Sequence, residues 1–111
     1  MPKYLYIPVF LILSLVCCSS IRNSLDFANQ CAMEGLWDEA IYRWERALAD
    51  NPGSAAIHNN LAVAYEKKGE LDKARQEYQK ALQLAPGNEQ IKKNYEKFSR
   101  KDEKKTEGGD R

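Results

Sequence analysis

The chain repeats itself at an offset of 34 residues, and no other feature restricts its fold so tightly. Shifted by that amount, Gly35 falls on Gly69, Trp37 on Leu71, Asp38 on Asp72, Ala40 on Ala74 and Trp44 on Tyr78. The register continues through Ala47 and Ala81, Leu48 and Leu82, Pro52 and Pro86, and Gly53 and Gly87. A period of this length marks one supersecondary unit used more than once, each copy burying its apolar face against the next.

The matched residues have the chemistry of a helical hairpin. Gly35 and Gly69 stand where a first helix must stop, because glycine tolerates the left-handed backbone that ends helices. Asp38 and Asp72 come next, and a carboxylate there complements the positive end of a second helix. Ala40, Ala47, Ala74 and Ala81 are small where two helices cross closely, and Trp44 and Tyr78 supply bulk between them. Pro52 and Pro86 stop the second helices, and Ser54 and Asn88, again 34 apart, are good N-caps for the next helix. Beyond Asn88, Ile91, Tyr95 and Phe98 recur at i, i+4 and i+7, which makes one further amphipathic helix. The spacing predicts helices over 22–34, 38–50, 55–68, 72–85 and 89–101, with no strand-like alternation. The expected class is all-α: two helical hairpins plus a C-terminal capping helix, a short α-solenoid. Residues 102–111, all polar, charged or glycine, are expected to form a disordered charged tail.

Together with Asn60-Leu61-Ala62-Val63-Ala64-Tyr65, these residues resemble the tetratricopeptide repeat, which implies antiparallel helix pairs stacked into a superhelix. The repeats fall at about 21–54 and 55–88 within a domain of 22–101. The first has Phe27, Ala28 and Cys31 where the second has Leu61, Ala62 and Tyr65, as befits the end of an array.

Ahead of the repeats, Lys3 precedes an apolar run from Tyr4 to Val16 that ends at Cys17 and Cys18. The layout is that of an export signal, and the run is short of the roughly 20 apolar residues a spanning helix needs. Leu15-Val16-Cys17-Cys18 resembles the lipobox of bacterial lipoproteins. That resemblance implies a signal peptide over 1–17, a lipidated linker over 18–21 and acylation of Cys18. Cys17 is the second choice, since it would put Val16 where a small side chain is expected. Acyl chains would then be the anchor, at ~0.8 kcal/mol per buried methylene. The resemblance thus implies export and attachment to a cell-envelope membrane, the outer membrane if the source is Gram-negative. The alternative is an ordinary export signal whose cysteines are incidental.

Charge excludes some partners. Seventeen basic against sixteen acidic side chains give no field for nucleic acid, and loss of Lys3 would leave sixteen of each. Chemistry is sparse too. His58 is the one histidine, and packing or capping between helices is its expected role. Cys31 is expected to be buried as a small hydrophobe. No phosphate loop, nucleophile motif or metal spacing is present, so no enzyme activity, cofactor or metal is expected.

The family resemblance further implies that the first helix of each pair lines a concave groove. On helical spacing its residues are Arg22, Leu25, Asn29, Ala32 and Met33, then Asn59, Asn60, Val63, Glu66 and Lys67. Amides there can bond the backbone of an extended peptide. Some family members grip a C-terminal carboxylate; Asn29 and Asn60 fit that layout, but Leu25 replaces its first lysine, and Lys92 and Lys93 are near the remaining basic pair's places without matching them. The expected function is a non-catalytic module for protein–protein interaction, an anchored lipoprotein adaptor in a bacterial envelope complex. A self-assembling periplasmic or secreted structural component without the lipid is the alternative, and homo-oligomers suit an array of so few repeats.

Overall fold

The computed structural model describes residue 22 and residues 24–109. The expected signal peptide, the linker and both candidate acylation sites, Cys18 and Cys17, lie outside the described residues. Every element among those described is a helix: α1 over 24–33, α2 over Trp37–Asp50, α3 over Ala55–Lys68, α4 over Leu71–Leu84 and α5 over Glu89–Gly108. The fold is the all-α short solenoid expected from the repeat, and none of these helices is long and apolar enough to cross a membrane.

The backbone repeats as faithfully as the sequence does. Gly35 and Gly69 adopt φ of 78° and 79°, and each closes the same pair of bonds. Gly35 N–H donates to Ala32 and Leu36 N–H to Cys31; 34 residues later Gly69 donates to Glu66 and Glu70 to Tyr65. These are Schellman turns, which give the last carbonyls of a helix the partners they would otherwise lack. The chain passes straight from them into α2 and α4, which therefore begin at Trp37 and Leu71, one residue before the expected starts. Leu36 and Glu70 contribute only backbone carbonyls, which accept from Ala40 and Ala74 at 3.0 Å. The starts of α3 and α5 are capped by side chains as expected: Ser54 Oγ accepts from Ile57 N–H at 3.3 Å, and Asn88 Oδ1 from Ile91 N–H at 3.1 Å.

The core is arranged by residue size. Ala28, Ala40, Ala62, Ala74 and Ala81 are wholly buried, so helix backbones approach closely with nothing larger than a methyl group between them. Ile41, Trp44, Ile57, Leu61, Tyr65 and Tyr78 fill the space around those alanines, and Cys31 is buried among them. Among α2 to α5, helices α3 and α4 make the most extensive contact. The capping helix is held by aromatic rings: Tyr78 lies 5.4 Å from Phe98 and 5.9 Å from Tyr95, centroid to centroid.

That helix is longer than its sequence suggests. The expected end is near 101, with a disordered tail after it, but the helix continues to Gly108. Asp102, on the core side, pairs with Arg75 of α4, which also holds Asp72 at 2.9 Å. One more tertiary contact thus lies beyond Lys101, and lysines and glutamates after it are good helix formers. Because Phe98 is fully buried between α4 and α5, Phe98→Ala is expected to cost about 3–5 kcal/mol in urea unfolding. Amides of α5 should then exchange faster than those of α3.

Candidate functional site

The packing of α1 beside α3 leaves a shallow hollow of about 280 Å³ on the shared face of these first helices. Its walls are Asn29, Ala32, Met33, Asn60 and Val63, with Trp37 and Trp44 reaching in from α2. Five residues expected in a groove are therefore brought together. Met33 stands 89% exposed at the rim, where with Ala32 and Val63 it gives the hollow its apolar lining.

Polar order in the hollow comes from one oxygen. Asn29 Oδ1 accepts from Trp44 Nε1 at 3.3 Å and from Asn60 Nδ2 at 3.4 Å. These bonds fix both amides, leaving Asn29 Nδ2 to donate and Asn60 Oδ1 to accept. A donor and an acceptor side by side match the N–H and C=O of an extended peptide. Asn59 is oriented in the same way, its Oδ1 accepting from Asn94 Nδ2 of α5 at 3.0 Å.

The remaining expected groove residues fare differently. Arg22 is helical and exposed. Leu25 is half-buried against the core. The Glu66 carboxylate accepts from the Tyr78 hydroxyl at 3.2 Å and from Lys101 Nζ at 2.9 Å, so it braces α3 to α4 and α5. Burial first, then the Glu66 charge, pushes the Tyr78 phenol above its ordinary range and keeps it a donor. Spacing places Trp37 at a helix start and Trp44 in the core, and nothing in it signals that their edges reach the hollow. The hint is that Trp44 replaces the Tyr78 of the next unit, and only an indole carries an N–H at that position.

His58 is a brace, as its expected role between helices requires. Nδ1 lies 2.6 Å from Glu77 Oε2 and Nε2 lies 3.1 Å from the Pro52 carbonyl oxygen, tying the α2–α3 connection to α4. Glu77 also accepts from Lys80 at 2.8 Å. Burial pushes the Glu77 carboxyl up, but Lys80 and His58 outweigh it and hold the group below its ordinary range. Among the described residues no group of three or more His, Cys, Asp or Glu is placed to hold a metal. A larger hollow of about 390 Å³, between the start of α1 and the end of α2, has its arginines engaged. Arg43 pairs with Glu39 at 2.7 Å and stacks over Phe27, while Arg46 lies over Tyr42.

The sign of the Glu77 effect is testable. A carboxyl depressed in the folded state stabilises the fold above its unfolded pKa and loses that contribution as pH falls through the folded one. Urea unfolding at stepped pH is expected to show stability falling below the ordinary carboxylate range, and Glu77→Gln should flatten that decline.

A profile described as tetratricopeptide repeat matches residues 34–89. Among similar proteins, the chain is 43% identical over 56 residues to mouse (Mus musculus) protein O-mannosyl-transferase TMTC4, covering 50% of this chain and 8% of that protein. It is 35% identical over 60 residues to human (Homo sapiens) sperm-associated antigen 1, covering 54% of this chain and 6% of that one. It is 40% identical over 55 residues to the protein CTR9 homolog of Arabidopsis thaliana, covering 49% of this chain and 5% of that one. The chain thus spans less than a tenth of the length of these relatives.

Proposed function

The chain belongs to the tetratricopeptide repeat family, and on that premise we propose that it is a non-catalytic adaptor. It holds a segment of another protein in the α1–α3 groove and is fixed to a cell-envelope membrane by acyl chains on Cys18. Such repeats generally mediate protein–protein contact rather than chemistry, and the transferase activity in one relative's name stays with that protein. The observation that carries the reading is the hollow itself. A nearly fully exposed Met33 sits beside two amides that are already ordered through Asn29 Oδ1. Ordering them in advance lowers the entropic cost of binding.

The anchor is supported by Leu15-Val16-Cys17-Cys18. Residues 18–21 can span no more than roughly 14 Å, so an acylated Cys18 would keep the repeats against the membrane surface. The anchor and the groove are tested separately on the intact protein. A photoreactive amino acid in place of Met33 or Val63 is expected to crosslink a discrete partner, and the same group at Gln79, exposed on α4, is not. Equal crosslinking from all three positions would remove the groove reading. Mass spectrometry of the mature N-terminus is expected to find acyl chains on Cys18; an unmodified N-terminus beyond that residue would remove the anchor and leave the groove untouched.

A further inference from the structure

Helix α5 keeps the 34-residue register of α1 and α3, so each position on the concave face occurs three times. Leu25, Asn59 and Lys93 form one column, and Asp26, Asn60 and Asn94 a second. Asn29, Val63 and Lys97 form the third, and Met33, Lys67 and Lys101 the fourth. Contacts tie the three helices together along this face: Asn60 to Asn29, Asn94 to Asn59, and Lys101 to Glu66. Across the columns the chemistry changes in one direction. On α1 the positions are apolar, amide or acidic; on α3 two of the four are amides; on α5 three of the four are lysine. Lys93 and Lys97 are exposed and make no ion pair among the described residues, and the same holds for Lys67.

We propose that the groove takes an extended acidic segment of a partner protein. An apolar residue of that segment enters the hollow of Met33, Trp37 and Val63, and its carboxylates lie over Lys93 and Lys97. This rests on the reading of the groove as a protein-binding site and adds the partner's chemistry. Neighbouring helix axes lie roughly 8–10 Å apart, so the path from α1 to α5 is about six residues of extended chain. The segment binds through side-chain carboxylates at the cationic α5 end; on α1, Leu25, Asp26, Asn29 and Met33 offer no cation, and Arg22 stands exposed a turn earlier. A chain, rather than a flat anionic membrane, is the occupant that fits. The lysines are interleaved with ordered amides, which pair with a peptide backbone rather than with headgroups.

The test uses the full-length protein and a phage library of random octapeptides, each fused through its C-terminus so that no free carboxylate is offered. Enriched peptides are expected to carry an apolar residue followed or preceded by Asp and Glu. By fluorescence polarisation, such a peptide should lose affinity about tenfold or more in the Lys93→Glu/Lys97→Glu double variant, and lose it steeply with added salt. Both lysines are exposed, so the circular dichroism should not change. Peptides with no acidic bias, or acidic peptides bound equally by the double variant, would overturn the inference. If Met33→Lys still abolishes binding of those peptides, the groove reading stands alone; if neither variant matters, the groove reading falls with it. An empty selection would also overturn the inference, and the crosslinking from position 33 then decides the groove separately. Vesicles of phosphatidylglycerol bound through Lys93 and Lys97, with no acidic peptide enriched, would assign these lysines to a membrane and equally overturn it.

Discussion

The left-handed turns at Gly35 and Gly69 are the constraint on which the remaining structure rests. An L-residue with a side chain would be strained there by roughly 1–2 kcal/mol, and no neighbouring atom lies close enough to add to that penalty. Each turn reverses the chain within two residues and starts the second helix without a side-chain cap. The crossing of the two helices is therefore set by the turn, and the buried alanines must lie where that crossing puts them. Ala28 and Ala40 meet this demand in the first hairpin, Ala62 and Ala74 in the second. Once the hairpins are identical in geometry, stacking brings equivalent positions of α1 and α3 side by side, and the hollow is a consequence.

Much of this was legible because it is local and periodic. Turns, caps, alanines and the class of fold all derive from residues a few positions apart, compared at one offset. What was not legible depends on pairs far apart in sequence. Arg75 and Asp102 extend α5 across residues that composition alone assigns to a tail. Glu66 counts as an exposed groove residue until Tyr78 and Lys101 converge on it. Leu25 is apolar at a position that spacing marks as surface, and a side chain at the first helix of an array is free to turn toward the core. Glu77 approaches His58 from nineteen positions away, on the other helix of the same hairpin.

The groove shows the same division. Asn29 and Asn60 could be named from the sequence, but not the reason they matter, which is Trp44. Its indole N–H reaches across from α2 and orients Asn29, which in turn orients Asn60. The next unit has Tyr78 at that position, and its hydroxyl goes to Glu66 instead. Differences at three equivalent positions, Trp44/Tyr78, Asn29/Val63 and Ala32/Glu66, thus separate an open amide pair between α1 and α3 from a closed carboxylate brace between α3 and α4.

The same exchange of bulk sets how α5 packs. At equivalent positions, the first junction has Trp44 on its second helix and Ala64 on the next helix; the second junction has Tyr78 and Phe98. Volume given up at Tyr78 is restored at Phe98, which Tyr78 and Tyr95 then enclose. Helix α5 therefore buries its apolar side as a first helix would, against the preceding hairpin. Its other side carries Lys92, Glu96, Arg100 and Glu103, all exposed. A helix with one apolar side covers the second hairpin, and its remaining surface is free to carry the lysines that give the groove face its charge.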